Sequence, residues 1–519
     1  MPGASAIAKC FQRPWFVFAV VFAWKVALFV FTTQPVPSND SFFYDGPVVN
    51  LLNGGRYCNP PLALALPISG AEVFCAYPPL YQLVLLVWMS VFGTSVVSAM
   101  GLHQVLFGLY LLALLGILRR LKIPAVWVNL AGLFLFANTF QDRPDSLAHW
   151  LGVSAIYAWV RAREVPVAAV GGVWDWVAAG CVVMALATSL QFGAVYLGCV
   201  WTLVIGNAVL RREKINWLPL AATILIPAAL VAFVKFGCPR LWAGFQEHAG
   251  QTPGITGLRV PNAADCLKAL RTLPGAGLVM FLIAALWVKR RGSFAAQFNS
   301  SAAVVLLGAG ATVIALTIAA LIYLSPNYVL ATGYTQPLVV GIFFAVFGEE
   351  LTGSRRGRLW PAVFAGMAAF AAIRALGMTT WGVACAADVN HARATKIVRE
   401  TLDATPPGST VAVSGAFLYE AVRHRQLRVI HSDWLAPARG SLSRAQAVVA
   451  QRPAKMILTQ FDRYRFYGDA IPQLQSQTNV VEVKIISTAQ TPVPDASVKL
   501  QKIVQHISWA PVIVELNWK

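Results

Sequence analysis

The feature that most constrains this chain is a succession of apolar runs separated by short basic clusters, each run long enough to cross a hydrocarbon core of about 30 Å. Residues 15–31, 96–118 and 301–323 are the clearest of them. Wherever such a chain meets lipid, its backbone polar groups must be satisfied internally, and helices do this within one segment. Composition agrees: 57% of the 519 residues are hydrophobic and 12% are charged, about half the charged share of a soluble globular domain. Mean hydropathy is +0.62. These values exclude a water-soluble enzyme and predict a polytopic α-helical membrane protein.

On a soluble chain, the formal charge of +19, from 41 Lys and Arg against 22 Asp and Glu, would suggest a nucleic-acid partner. The positions of the charges argue against it. They fall in six clusters beside apolar runs: Lys9/Arg13, Arg119/Arg120/Lys122, Arg161/Arg163, Arg211/Arg212/Lys214, Lys289/Arg290/Arg291 and Arg355/Arg356/Arg358. That is the positive-inside pattern of cytoplasmic loops, and it comes without the aromatic-basic interleaving of a base-stacking groove. If all six clusters are cytoplasmic, the spans between them must pair. Only one span then fits between residues 31 and 119. The stretch 79–92, at about 14 residues short for a span, is expected to lie on the outer face.

The count comes to about eleven transmembrane helices, with the N-terminus inside and the C-terminus outside. They fall near residues 15–31, 96–118, 123–140, 146–160, 173–190, 192–210, 217–236, 274–288, 301–323, 328–348 and 359–380. The first span follows Lys9 and Arg13 without a small-x-small cleavage site and reads as retained. Residues 1–380 thus form a transmembrane region with outer loops 32–78 and 237–272, where chemistry on the outer face would sit. From 381 to 519 hydropathy falls, and the pattern becomes that of an extracytoplasmic α/β domain. Helices are predicted near 390–404, 417–423 and 442–449, and strands near 410–414, 455–459, 480–486 and 512–516. Four of the eight cysteines divide by outer loop, Cys58 with Cys75 and Cys238 with Cys266. This suits one disulfide in each loop in an oxidising compartment.

Three outer stretches carry candidate chemistry. The first loop reads Asn39-Asp40-Ser41-Phe42-Phe43-Tyr44-Asp45-Gly46, then Leu51-Leu52-Asn53-Gly54-Gly55-Arg56-Tyr57, and later Tyr77-Pro78-Pro79-Leu80. The second is Asp142-Arg143-Pro144-Asp145-Ser146-Leu147-Ala148. Pro144 suits a helix start, and Asp145 sits where a carboxylate gains from the helix dipole, so a cap and a functional acid are both open readings. The third is Ala187-Thr188-Ser189-Leu190-Gln191-Phe192.

In this order the stretches resemble the GT-C superfamily of membrane glycosyltransferases, which includes the lipid A aminoarabinose transferases and the protein O-mannosyltransferases. The resemblance implies a polyprenyl-phosphate sugar donor, a lipid, glycan or protein acceptor hydroxyl, and transfer on the outer face with inversion at the anomeric carbon. It puts the catalytic base at Asp40, with Asp45 as the rival and Tyr44 as the aromatic four residues on. Asp145 would orient the acceptor or the base, and Arg143 would neutralise a phosphate, for which a guanidinium is well shaped.

Ser41 stands where many members carry Glu. A single acid remains, and neither a metal nor another cofactor is expected. Tyr77 and Ser189 stand where members carry cationic residues, so contacts to the donor phosphate fall to Arg56, Arg143, Arg240, His248 or Arg259. The sequence Asn39-Asp40-Ser41 is a formal N-glycosylation acceptor. A glycan there would cover the base, which favours a bacterial inner membrane over the endoplasmic reticulum. Among ionisable residues within spans, His103 reads as a satisfied polar group rather than a ligand. A secondary transporter or lipid flippase is the alternative, and it would show internal repeats and midplane charges. This chain concentrates its acids in the outer loops instead.

Overall fold

The computed structural model describes residues 10, 12–136, 143–164, 171–211, 214–251, 359–435, 443–465, 467–477, 479–488 and 508–519. The predicted spans near 274–288, 301–323 and 328–348, along with Arg259 and Cys266, lie outside the described residues. The first helices are α1 (Phe16–Thr32), α2 (Asn39–Leu52), α3 (Leu80–Phe92), α4 (Val96–Arg120) and α5 (Ala125–Leu133). They are followed by α6 (Asp145–Ala162), α7 (Gly171–Leu186), α8 (Leu190–Arg211), α9 (Trp217–Gly237), α10 (Pro239–Gln251) and α11 (Leu359–Asp388). Among the described residues three helices are long and apolar enough to cross a membrane: Val96–Arg120, Leu190–Val209 and Trp217–Gly237. Shorter apolar helices run over Phe16–Thr32, Leu80–Phe92 and Gly172–Leu186. The span expected near 123–140 is shorter in its described part, an α-helix to Leu133 and a 3-10 turn over Phe134–Phe136.

Helix α9 shows what the outer shell of this fold requires. Leu225, Phe233 and Phe236 are 65%, 65% and 78% exposed. Apolar faces of this kind are stable against lipid and costly against water. The inner faces of α1, α4, α5, α6, α7 and α8 close a core around Val21, Tyr110, Leu114, Val128, Val153, Trp159 and Leu203, all buried.

The first outer segment departs from the expected loop, since Asn39–Leu52 is a helix. Gly46 and Pro47 would argue against one, because Pro47 has no N–H to give the Phe43 carbonyl. Asn59 resolves this from a distance in sequence, its Nδ2 donating to the Phe42 carbonyl at 2.9 Å and the Phe43 carbonyl at 3.2 Å. The approach requires glycine at 46, where a Cβ would meet Asn59 Nδ2 at 2.4 Å. Gly46, Pro47 and Asn59 therefore act as one device that keeps α2 helical and buried.

The C-terminal region agrees closely with its predicted elements: α12 (His391–Asp403), β1 (Thr410–Val413), α13 (Gly415–Ala421), β2 (Arg428–His431), α14 (Arg444–Gln451), β3 (Lys455–Leu458), β4 (Val480–Ser487) and β5 (Val512–Trp518). The strand order is β2-β1-β3-β5-β4, with β1 parallel to β2 and β3, and β5 antiparallel to β3 and β4. Period-two alternation sends Val411, Val413 and Ile457 to one face, with α12 and α13. Ala412, Met456 and Leu458 go to the other, with α14. The first face continues into the outer segment, where Val36, Phe42, Val48 and Leu62 share its core. Polar contacts fix the seating: Trp509 Nε1 donates to the Thr33 carbonyl at 3.0 Å, and Arg423 Nη2 to the Thr94 carbonyl at 3.0 Å.

The expected disulfide between Cys58 and Cys75 is not formed, and both are free thiols. Backbone pairing of Phe74 N with Tyr57 O brings their segments together. The side chains have other partners, Cys58 accepting from Asn50 Nδ2 at 3.5 Å and Cys75 donating to the Val73 carbonyl at 3.4 Å.

Replacing Asn59 by Ala should leave the Phe43 carbonyl without its donor and cost roughly 1–3 kcal/mol. The check is a lower melting temperature in detergent, with Gly46→Ala shifting it the same way. Equal melting of wild type and Asn59→Ala would show that α2 does not depend on this contact.

Candidate functional site

The three stretches singled out in the sequence meet at the start of α6. Arg143 stands immediately before that helix, with 18% of its side chain exposed, between two carboxyls. Its Nη1 donates to Asp40 Oδ2 at 2.8 Å, and its Nε lies 3.1 Å from Asp145 Oδ2. Its Nη2 donates to the Tyr44 hydroxyl at 3.1 Å, and the guanidinium carbon sits 5.5 Å from the centroid of the same ring. The acids differ in setting, with 52% of the Asp40 side chain exposed and 5% of that of Asp145.

Helix geometry explains that difference. Asp145 begins α6, where the free backbone N–H groups and helix dipole favour a negative charge. Burial pushes its carboxyl pKa up, while Arg143 and the Ser189 hydroxyl pull it back. Its second oxygen, Oδ1, is buried and has no hydrogen-bond partner among the described residues. An acceptor left without a donor inside a protein carries a desolvation cost.

Ser189 comes from the third stretch, in the turn between α7 and α8. Its hydroxyl lies 3.4 Å from that of Tyr77, and Leu80 N donates to the Ala187 carbonyl at 3.1 Å. The turn therefore holds the start of α3 against the site. Tyr77 and Tyr44 meet edge to face at 4.9 Å. Burial raises both phenols, Tyr77 to about 12, so both are neutral donors at physiological pH.

His248 arrives on α10. Its neighbour Glu247 accepts from the backbone N–H groups of Ile68 and Ser69 at 3.1 and 3.2 Å, which pins the helix over the outer segment. The His248 ring lies 5.2 Å from Phe43, and Trp434 stacks on that phenylalanine at 5.4 Å. Burial lowers the imidazole to about 4, with Asp40 and Arg143 as opposing charged neighbours. It is therefore neutral near pH 7.

Among the predicted residues, Asp40, Tyr44, Tyr77, Arg143, Asp145 and His248 are brought together. Arg56 is exposed. Arg240 pairs through two nitrogens with Glu72. Asp45 is buried with both oxygens engaged, by Tyr81 at 2.9 Å and Tyr419 at 2.5 Å. Arg259 lies outside the described residues. Sequence reasoning missed Tyr81 and Tyr419, whose partners are far away in the chain, and it valued Ser189 only as a missing cation. Further along α3, an open apolar groove of about 500 Å³ is lined by Leu83, Val87, Trp88 and Val91 and by Leu102 of α4. Among the described residues, no three His, Cys, Asp or Glu side chains converge as metal ligands.

The site is thus a buried carboxyl at a helix start, bridged by one guanidinium to an accessible carboxylate. Two solved structures share the fold around it. ArnT from Cupriavidus metallidurans, bound to undecaprenyl phosphate, is 14% identical with a TM-score of 0.52, over 96% of this chain and 97% of that one. An oligosaccharyltransferase from Archaeoglobus fulgidus, tethered with an acceptor peptide, is 11% identical with a TM-score of 0.50, over 90% and 72%. No protein-family description and no curated protein matches the sequence. The chain shares its overall fold with both of these proteins.

Replacing Arg143 by Gln should leave Asp145 buried without its counter-charge and cost roughly 3–5 kcal/mol. The exposed partner change Asp40→Asn should cost under about 1 kcal/mol. Thermal unfolding of the two variants in detergent gives the comparison, and a larger loss for Asp40→Asn would contradict the assigned burial. His248 gives a pH signature. Its folded pKa of about 4 lies below the ordinary 6.5, so the unfolded chain binds the proton first and stability falls as pH drops from 6.5 to 4. His248→Asn should flatten that limb; an unchanged slope would show that the ring is not buried as a neutral group.

Proposed function

We propose that this protein is a glycosyltransferase that moves a sugar from a polyprenyl-phosphate donor to an acceptor hydroxyl on the outer face of a bacterial inner membrane, with inversion at the anomeric carbon. The observation that carries the reading is the Asp40–Arg143–Asp145 bridge, assembled from two distant stretches within a fold whose solved relative ArnT binds undecaprenyl phosphate.

Asp40 is the base. It takes the proton of the acceptor hydroxyl, whose oxygen attacks the anomeric carbon while the bond to the donor phosphate oxygen breaks on the opposite side. The pair of electrons leaves with polyprenyl phosphate. A phosphate is already a good leaving group, so no strong acid is needed there, only cationic stabilisation of the developing charge. Arg143 supplies that charge, and its fork suits phosphate. Because the phosphate competes with Asp40 for the same guanidinium, donor binding frees the carboxylate when it is needed. Asp145 Oδ1 accepts from the acceptor or sugar hydroxyl and orients it. Tyr44 and Tyr77 stay protonated and donate to phosphate or sugar oxygens. The lipid tail follows the apolar groove between α3 and α4.

In this reading the basic clusters face the cytoplasm, about eleven helices span the bilayer, and the C-terminal α/β domain stands outside it, over the site. No metal takes part.

Purified protein in lipid nanodiscs should release polyprenyl phosphate from one member of a panel of polyprenyl-phosphate sugars, and chelator should leave the rate unchanged. Asp40→Asn should still bind that donor while losing roughly 10²–10⁴-fold in turnover, the range for a general base. Turnover by Asp40→Asn at the wild-type rate would remove Asp40 from the mechanism. Absence of donor binding by folded wild type across the panel would overturn the transferase reading.

A further inference from the structure

A chain of buried polar contacts runs from the C-terminal domain to Ser146, whose hydroxyl and backbone N–H both lie against the Arg143 carbonyl, and the transfer chemistry above makes no use of it. Tyr419 on α13 donates to Asp45 Oδ2 at 2.5 Å, and Tyr81 on α3 donates to Asp45 Oδ1 at 2.9 Å. The Tyr81 oxygen lies 3.1 Å from His103 Nε2 on α4, and His103 Nδ1 lies 2.7 Å from Ser146 Oγ on α6. Ser146 Oγ in turn lies 2.9 Å from the backbone carbonyl of Arg143. All five side chains are buried, none more than 5% exposed.

Proton counting makes the chain directional. The carboxylate Asp45 can only accept, so the protons of Tyr419 and Tyr81 both go to it and the Tyr81 oxygen must accept from His103 Nε2–H. With His103 neutral, its Nδ1 accepts and takes the Ser146 proton. With His103 cationic, Nδ1–H goes to Ser146 instead, and the serine proton passes to the Arg143 carbonyl. In both states Ser146 stays tied to the Arg143 carbonyl, through its hydroxyl when His103 is cationic and through its backbone N–H, at 3.1 Å, when the hydroxyl proton goes to His103. A network this long, buried in low dielectric, holds its members more tightly than isolated pairs would.

We propose that Tyr419, Asp45, Tyr81, His103 and Ser146 form a positioning relay, through which seating of the C-terminal domain holds Arg143 between Asp40 and Asp145. Asp45 is then a positioning residue rather than a base or a ligand to substrate. The relay gives the C-terminal domain a part in catalysis without contact with the sugar. This inference rests on Arg143 acting at the donor phosphate in the proposed transfer. A network that merely satisfies its own buried groups would act only on overall stability, and removing the far end would leave the Arg143 backbone undisturbed.

The test uses the full chain in nanodiscs, with Tyr419→Phe, Ser146→Ala and the double variant. Tyr419→Phe removes one oxygen atom at the end farthest along the relay from Arg143. It should speed amide exchange of residues 143–148 by about tenfold, the scale of one lost hydrogen bond, while the transmembrane helices keep their protection. Turnover should fall in kcat with KM for the acceptor unchanged. The double variant should be no worse than Ser146→Ala alone, because both cut one chain. Unchanged exchange at 143–148 in folded Tyr419→Phe, or additive losses in the double variant, would overturn the relay. Exchange that responds as expected in a protein whose wild type transfers no sugar would sustain the relay and sink the transferase reading instead.

Discussion

A carboxyl group buried at the start of a helix needs a counter-charge, and the residues around the start of α6 are arranged to meet that need. Asp145 gains from the dipole of α6, but the effective penalty of burying an ion is several kcal/mol. Arg143 supplies the compensating charge and is itself taken from water. It is then satisfied from a second side by Asp40, which keeps half its side chain in solvent. Tyr44 covers the guanidinium with its ring and accepts from it. One cation thus serves an acid the fold has hidden and an acid it has left accessible, and the proposed base catalysis rests on that asymmetry.

The elements that deliver these groups depend on contacts between distant residues. Helix α2 carries Asp40, Tyr44 and Asp45, and it persists through Pro47 only because Asn59 takes up the Phe42 and Phe43 carbonyls. The turn at Ala187–Ser189 holds the start of α3, so Tyr77 and the apolar groove are fixed to the same frame. The C-terminal sheet packs its Val411 face into the core of the outer segment. Through Tyr419 it also reaches a carboxylate one residue from Tyr44. The outer segment is therefore held on several sides.

What could be read from the sequence followed from local chemistry. Pro144 followed by Asp145 marked a helix start, and α6 begins at Asp145. The amphipathic stretch after Asn390 and the alternation in 410–414, 455–459, 480–486 and 512–516 located α12 and strands β1, β3, β4 and β5 to within a few residues. Strand β2 was missed because four residues, Arg-Val-Ile-His, carry too little alternation. Helix α2 read as a loop because Gly46 and Pro47 are breakers locally, and their remedy lies at Asn59. His103 was taken as a satisfied polar residue, and it is hydrogen-bonded to Tyr81 and Ser146. The competition for cations was not legible: nothing local told that Glu72 would engage Arg240 while Arg143 would face two acids.

The central claim is that Arg143, held between Asp40 and Asp145, is the group that receives the phosphate of a polyprenyl donor. The most direct measurement is the ³¹P resonance of polyprenyl phosphate titrated into nanodisc-embedded protein, comparing wild type with Arg143→Gln/Asp145→Asn, a pair of changes that removes the guanidinium without stranding a buried charge. The account expects a saturable shift with wild type that is lost in the double variant while its fold is kept. An equal shift in both proteins would place the phosphate elsewhere and contradict it.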